Sequence, residues 1–325
     1  MPFLKKSLLD TRTLDVGQLL TVFCEADRLR DLWGRNDLPV ERKPTRKKVI
    51  ACVFFEPSTR TRMSFEIAAF RLGFQVTLLD SAADSSLSKG ETYTDTILNV
   101  AAMRPDALVV RYGNSAELDA LLPLLSLPVL NAGSGVASHP TQALLDSYTI
   151  LKARGKMPGQ KVLIVGDIRH SRVARSNADV LLKLGAEVAV CGPQSMLPSQ
   201  EELEALSSNI KVFRNLDEGI QWATVYMGLR IQLERHGETA ASQVSNSEFH
   251  RQFGLNQERL ARLPQSTLIL HPGPINHGLE FCSQVLTDSR SQVLTQVENG
   301  VLIRAALLSL ILGATEDAEA KVGSK

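Results

Sequence analysis

Apolar stripes and apolar runs alternate along this chain from residue 14 to residue 312. Leu14, Leu19, Leu20, Phe23 and Leu29 recur at helical spacing and predict one buried face of a helix over residues 16–32. Residues 49–55 form instead a short, continuously apolar run that suits a strand buried on both faces, and residues 58–71 turn helix-compatible. The rhythm repeats: a strand at 75–79, a polar loop at 80–90, a helix near 93–103, a strand at 107–110 and a further candidate strand at 129–130. Gly155, Pro158 and Gly159 then break the pattern within residues 154–160. A second series follows, with strands expected at 162–165, 187–191, 224–226 and 267–270.

Strands alternating with helices predict an α/β fold of two doubly wound domains, each with a central parallel sheet. A length of 325 residues suits two domains. The expected division is residues 1–152 plus 298–325 against residues 153–297, because the apolar helix at 300–312 comes after the second domain is complete.

Charge narrows the functional classes. Lys and Arg total 36 against 35 for Asp and Glu, so the net charge of +1 gives no bulk attraction to nucleic acid or to an anionic membrane. Cys24, Cys52, Cys191 and Cys282 lie far apart and form none of the close pairs of zinc sites or disulfide scaffolds, which reads as reduced thiols in a cytoplasmic protein. MPFLKKSLLD leads into no signal-like apolar run, and Arg304 interrupts the longest apolar stretch, so no membrane span is expected.

Ser58, Thr59, Arg60, Thr61 and Arg62 fall where a predicted strand ends and a helix begins. Free N–H groups, the positive end of the helix dipole, three hydroxyls and two guanidiniums there make a site for an anion, and phosphate is the natural guest. Taken alone, the tripeptide Ser-Thr-Arg reads as a helix cap beside surface arginines. The match is longer: FFEPSTRTRMSFE, residues 54–66, resembles the phosphate-binding signature of the aspartate and ornithine carbamoyltransferases. Other motifs of that family follow in order over residues 1–312.

The resemblance implies a site in the cleft between two α/β domains, where Ser58, Thr59, Arg60 and Thr61 bind the phosphate of carbamoyl phosphate and Thr61 also lies near the carbamoyl oxygen. In HPTQALLD, residues 139–146, His139 and Gln142 stand at i and i+3 of a helix predicted to start near Pro140. By the resemblance His139 donates to the carbamoyl oxygen, Gln142 contacts the carbamoyl amide, and Arg111 bridges phosphate and carbonyl oxygens. SSLSKGET, residues 85–92, looks like the loop that aspartate enzymes insert into a neighbouring subunit, with Lys89 and Ser86 matching and Ser85 an alternative for the serine. A homotrimer with shared active sites follows from that likeness.

Arg172, in GDIRHSRV, and Arg230, in YMGLRIQLER, occupy the positions at which the family binds the acceptor's carboxylates, and Gln232 adds a polar contact. GDIRHSRV also invites a dinucleotide reading, but its glycines lack the G-x-G-x-x-G spacing. In HPGPINHG, residues 271–278, the resemblance implies that the carbonyls of Pro272 and Gly273 accept from the carbamoyl amide and that the bond before Pro274 is the candidate cis peptide. Ornithine enzymes tend to carry a cysteine in this turn, which is absent here. His277 stands where many relatives have arginine, which leaves its role open.

The activity implied is carbamoyl transfer from carbamoyl phosphate to aspartate, an early step of de novo pyrimidine synthesis. It needs no metal or organic cofactor, and regulatory or dihydroorotase subunits are left open as partners. The alternatives are another acceptor, such as ornithine, or a non-catalytic scaffold of the same family.

Overall fold

A computed structural model of the chain describes residues 7–34, 47–80, 89–207, 209–231 and 245–312. It separates into two compact units, Met1–Thr141 with Val297–Lys325, and Gln142–Gln296. The division falls inside two helices rather than in the 154–160 loop.

Unit 1 holds β1 (Val49–Phe54), β2 (Gln75–Asp80), β3 (Ala107–Tyr112) and β4 (Val129–Ser134), all parallel, in the order β2-β1-β3-β4. Its helices are α1 (Val16–Gly34), α2 (Thr59–Arg71), α3 (Tyr93–Ala102) and α4 (Ser115–Leu121). α5 (Pro140–Arg154) starts here and runs on into unit 2. Unit 2 holds β5 (Lys161–Val165), β6 (Glu187–Cys191), β7 (Lys211–Phe213), β8 (Val225–Gly228) and β9 (Leu268–Leu270), parallel in the order β7-β6-β5-β8-β9. Its helices are α6 (Arg172–Lys183), α7 (Gln200–Leu206), α8 (Leu216–Trp222), α9 (Asn246–Phe253) and α10 (Gln257–Arg262). Most of α11 (Val293–Leu312) belongs to unit 1.

The continuous apolar runs become the inner strands, as expected of strands covered on both faces. Ile50 through Phe54 and Val162 through Val165 are all buried, whereas the edge strand β2 is largely exposed. Small differences from the sequence pattern have local causes. Leu20 is 45% exposed, and Val22 and Ala26 complete the buried stripe of α1 instead. β3 and β4 run past their apolar cores through Arg111, Asn131 and Ser134, whose backbone still pairs. β7 is only three residues long, too short for a periodic signal.

α11 starts before the expected residue 300 and is, by length and composition, apolar enough to cross a membrane, which corrects the expectation based on Arg304. Most of it is buried within the protein. The buried Arg304 donates to Thr141 Oγ1 at 3.3 Å, Ser309 donates to Glu25 at 2.6 Å, and Lys48 donates to the Leu312 carbonyl.

Candidate active site

In each sheet the chain leaves a central strand to opposite sides, β1 lying between β2 and β3, and β5 between β6 and β8. At such a switch point the loops beyond the C-terminal strand ends diverge and leave a crevice, where ligands of doubly wound sheets bind. The segments singled out by sequence lie at these ends: residues 55–62 follow β1, Arg111 is the penultimate residue of β3, Arg172 follows β5 and Arg230 follows β8.

In unit 1, Ser58 is the N-cap of α2, yet its hydroxyl makes no capping hydrogen bond. No acidic residue occupies the first helical turn. The first-turn N–H groups therefore face an end of positive potential that suits an anion. Thr61 is buried, Ser58 is half-buried, and Thr59 and Arg60 are exposed. Arg62 is committed elsewhere, with Glu66 at 3.5 Å and with Asp80 at the end of β2, so it braces α2 rather than adding a second guanidinium to the anion site.

Arg111 is carried to the same place by strand pairing. It sits opposite Phe54, and its carbonyl accepts from Phe55 N–H at 3.0 Å. Its guanidinium donates to the Ala132 carbonyl at 3.2 Å and lies 3.4 Å from Glu56. Phe55, Tyr93 and Tyr112 pack with ring centroids 4.8 to 5.6 Å apart, tying the β1–α2 loop to the start of α3. Lys89 is exposed shortly before Thr92, which caps α3 by accepting from Asp95 N–H at 3.1 Å. Ser85, Ser86 and Gln232 lie outside the described residues.

The loop from β4 to α5 brings His139 to the start of its helix. Gly135 takes φ 44°, and a Cβ there would stand 2.3 Å from the Gly113 carbonyl oxygen, so the two turns can approach only because residue 135 is glycine. His139 is 5% exposed, and Pro140 opens α5 as its sequence position predicts.

In unit 2, Arg172 opens α6 and is 6% exposed. A cation at that end opposes the helix dipole, so its placement favours nearby negative charge. Just before it, the fully buried Asp167 pairs with the His170 ring at 2.8 Å. Arg230 is half-buried beyond β8. The next residue, Ile231, donates its N–H to Glu280 at 2.8 Å. Glu280 also accepts from Asn276 N–H at 2.7 Å and from Asn276 Nδ2 at 2.9 Å, clamping the turn after β9 to the segment after β8. Burial pushes the Glu280 carboxyl above the usual carboxylate range, against the lowering effect of these hydrogen bonds.

The Gly273–Pro274 bond is cis, at the position expected. Gly273 N–H donates to His271 Nδ1 at 2.9 Å, and His271 N–H donates to Gln296 Oε1 at 2.8 Å. Gln142 Nε2 donates to Asp146 at 2.8 Å. The sequence pattern assigns no role to Glu56, Asp146, Glu280 or Gln296. Glu56 and Asp146 do carry a signal, as acids inside the two most distinctive motifs.

Comparison with known proteins agrees with this geometry. The carbamoyl-P binding domain of the aspartate/ornithine carbamoyltransferases matches residues 6–152, and the Asp/Orn binding domain of the same family matches residues 158–311. The chain belongs to the aspartate/ornithine carbamoyltransferase family. It is 47% identical, over 279 residues, to the aspartate carbamoyltransferase catalytic subunit of Chlorobium phaeovibrioides, covering 84% of this chain and 88% of that protein. Aspartate transcarbamoylase of Trypanosoma cruzi, in complex with N-(phosphonacetyl)-L-aspartic acid, superposes with a TM-score of 0.83 at 27% identity, over 94% of this chain and 95% of that one. Ornithine carbamoyltransferase of Thermus thermophilus gives a TM-score of 0.79 at 27% identity, over 95% of this chain and 99% of the other. The fold is therefore common to both branches, and the choice of acceptor rests on residues.

Proposed function

We propose that this chain transfers the carbamoyl group of carbamoyl phosphate to the amine of L-aspartate, giving N-carbamoyl-L-aspartate and phosphate as an early step of pyrimidine synthesis. The observation that supports the reading is the N-terminus of α2, where Ser58 does not cap its helix, no acid stands in the first turn, and strand pairing sets the Arg111 backbone beside Phe54 and Phe55.

Ser58, Thr59, Arg60, Thr61 and Arg111 hold the phosphate. His139, Thr61 and Arg111 polarise the carbonyl and stabilise the oxyanion, and Gln142 with the 272–274 turn receives the carbamoyl amide. Arg172 and Arg230 bind the two carboxylates of aspartate, aided by Lys89 and Gln232. The aspartate nitrogen attacks the carbonyl carbon to form a C–N bond, and a tetrahedral oxyanion results. The C–O bond to phosphate then breaks, and the departing phosphate takes the amine proton, so no protein nucleophile is needed.

Two observations favour aspartate over ornithine. Both matched acceptor positions are arginines, and Glu280, the acid tied to that segment, has its oxygens engaged by three N–H donors. An assay of carbamoyl phosphate with each acceptor should give turnover with aspartate alone. Turnover with ornithine instead would overturn the choice of acceptor, and no turnover with either would favour the scaffold reading.

The active assembly in this proposal is a cytoplasmic homotrimer with Ser86 and Lys89 donated across subunits. Met63, Ile67 and Phe70, spaced along one side of α2 and 40 to 80% exposed, supply an apolar face suited to a second copy. A native mass of three chains is expected, and an active monomer would refute it.

A further inference from the structure

We propose that Asp146 is a positioning residue that, from inside unit 2, fixes two separate segments as acceptors for the N–H bonds of the carbamoyl NH2 group. This rests on the carbamoyl phosphate reading above and goes beyond it by naming what sets the selectivity for an amide. Asp146 is fully buried on α5, one turn beyond Gln142. Its Oδ1 accepts from Gln142 Nε2 at 2.8 Å and from Gln296 Nε2 at 2.7 Å. Its Oδ2 accepts from Asn177 Nδ2 at 2.9 Å, and the same Asn177 amide donates to the Val173 carbonyl at 3.1 Å in the first turn of α6.

The direction of each bond is set by chemistry. Both Asp146 oxygens accept from amide nitrogens, so each carboxamide turns its NH2 toward Asp146 and its oxygen elsewhere. For Gln142 this leaves Oε1 to accept from a ligand. For Gln296 it leaves Oε1 to receive His271 N–H, at 2.8 Å. The His271 ring then accepts Gly273 N–H on Nδ1, at 2.9 Å. A peptide N–H is only a donor, so Nδ1 carries no proton.

The Pro272–Gly273 peptide is trans, and in a trans unit the carbonyl points opposite to the N–H. With Gly273 N–H turned toward His271, the Pro272 carbonyl points away from it. One buried carboxylate therefore orients two acceptors, the Gln142 oxygen and the Pro272 carbonyl, that belong to segments 130 positions apart. Two acceptors match the two N–H bonds of a carbamoyl group. A methyl in place of the NH2 group, as in acetyl phosphate, leaves both unpaired, which is how a polar site rejects a near-isostere.

The test is equilibrium binding of carbamoyl phosphate, acetyl phosphate and inorganic phosphate to the full chain and to Asp146→Asn. The carboxamide of the variant is a donor on one side, so it cannot receive all three amides. Carbamoyl phosphate affinity should fall about tenfold or more, with acetyl phosphate and inorganic phosphate within about twofold of the parent. Equal weakening of all three, or no change, overturns the proposal. If Asp146→Asn does not fold, Gln296→Met decides, because it cuts only the branch to His271 while keeping the Asp146–Gln142 bond. A selective loss of about threefold or more for carbamoyl phosphate is then expected, and an unchanged ratio to acetyl phosphate overturns the relay. A parent protein that does not prefer carbamoyl phosphate over acetyl phosphate overturns the underlying reading and the relay together, whereas a selective parent with unselective variants overturns the relay alone.

Discussion

The two units share one plan and use it differently. Each wraps helices around a parallel sheet whose chain leaves a buried central strand to both sides. In unit 1 the strand end opens into one contiguous stretch of exposed and half-buried donors, Ser58 to Arg60, at a helix N-terminus. In unit 2 the groups around Gln142 and the 272–273 turn are braced by the buried polar residues Asp146, Asn177 and Gln296, drawn from distant parts of the chain. Topology supplies the place in both, and the loops decide whether it becomes an electrostatic cradle or a hydrogen-bonding template.

That contrast can be broken most directly by removing one arginine from each side. Arg60→Ala should lower kcat/KM by about 10² to 10³-fold and weaken inhibition by inorganic phosphate, because it deletes a charge-assisted donor. Arg230→Ala should instead raise the KM for aspartate by about 10²-fold and leave phosphate inhibition intact. Steady-state kinetics in which both variants lose phosphate inhibition equally would end the division of labour.

A smaller effect, on stability, sharpens the role of loop geometry. Gly135→Ala must place a Cβ 2.3 Å from the Gly113 carbonyl oxygen at φ 44°. A cost of about 2–3 kcal/mol in urea denaturation is expected, and a variant as stable as the parent would show that the loop can open. Least disruptive is a comparison of the two cores by thiol chemistry. Cys52 in β1 and Cys191 in β6 are both buried, and burial pushes each thiol up to about 12. Both should resist iodoacetamide at pH 8 while the exposed Cys24 reacts, and their labelling should rise with pH because only the thiolate attacks. Rapid labelling of one but not the other would mean that the two sheets are not equally closed.

The fold was legible wherever burial made the pattern continuous. β1 is an unbroken apolar run, β5 and β6 are apolar after their first residues, Lys161 and Glu187, and the observed bounds of all three lie within a residue of the expected ones. Polar strand ends such as Asn131 and Ser134 were not legible, since their pairing comes from the neighbouring strand and not from side-chain pattern. Of the site, the anion cradle could be read because strand end, cap and helix start are contiguous. Asp146 could not be assigned a partner from sequence, since Asn177 and Gln296 stand 31 and 150 positions away. Arg62 looked like a twin of Arg60, and only the fold, by bringing Asp80 to it, separates them.

The order of synthesis gives α11 a further meaning. Gln142–Gln296 is one unbroken stretch, so unit 2 has all its parts before residue 297 is made. Unit 1 begins first and is complete last, because Leu302 through Leu308, all buried, are translated some 170 residues after β4. Until then, on the ribosome, the groove that will receive this helix stays uncovered, and its Thr141 waits for Arg304. A chain truncated after residue 296 should therefore hold every residue of the second unit while the first still lacks the buried face of α11 and stays open to chaperones.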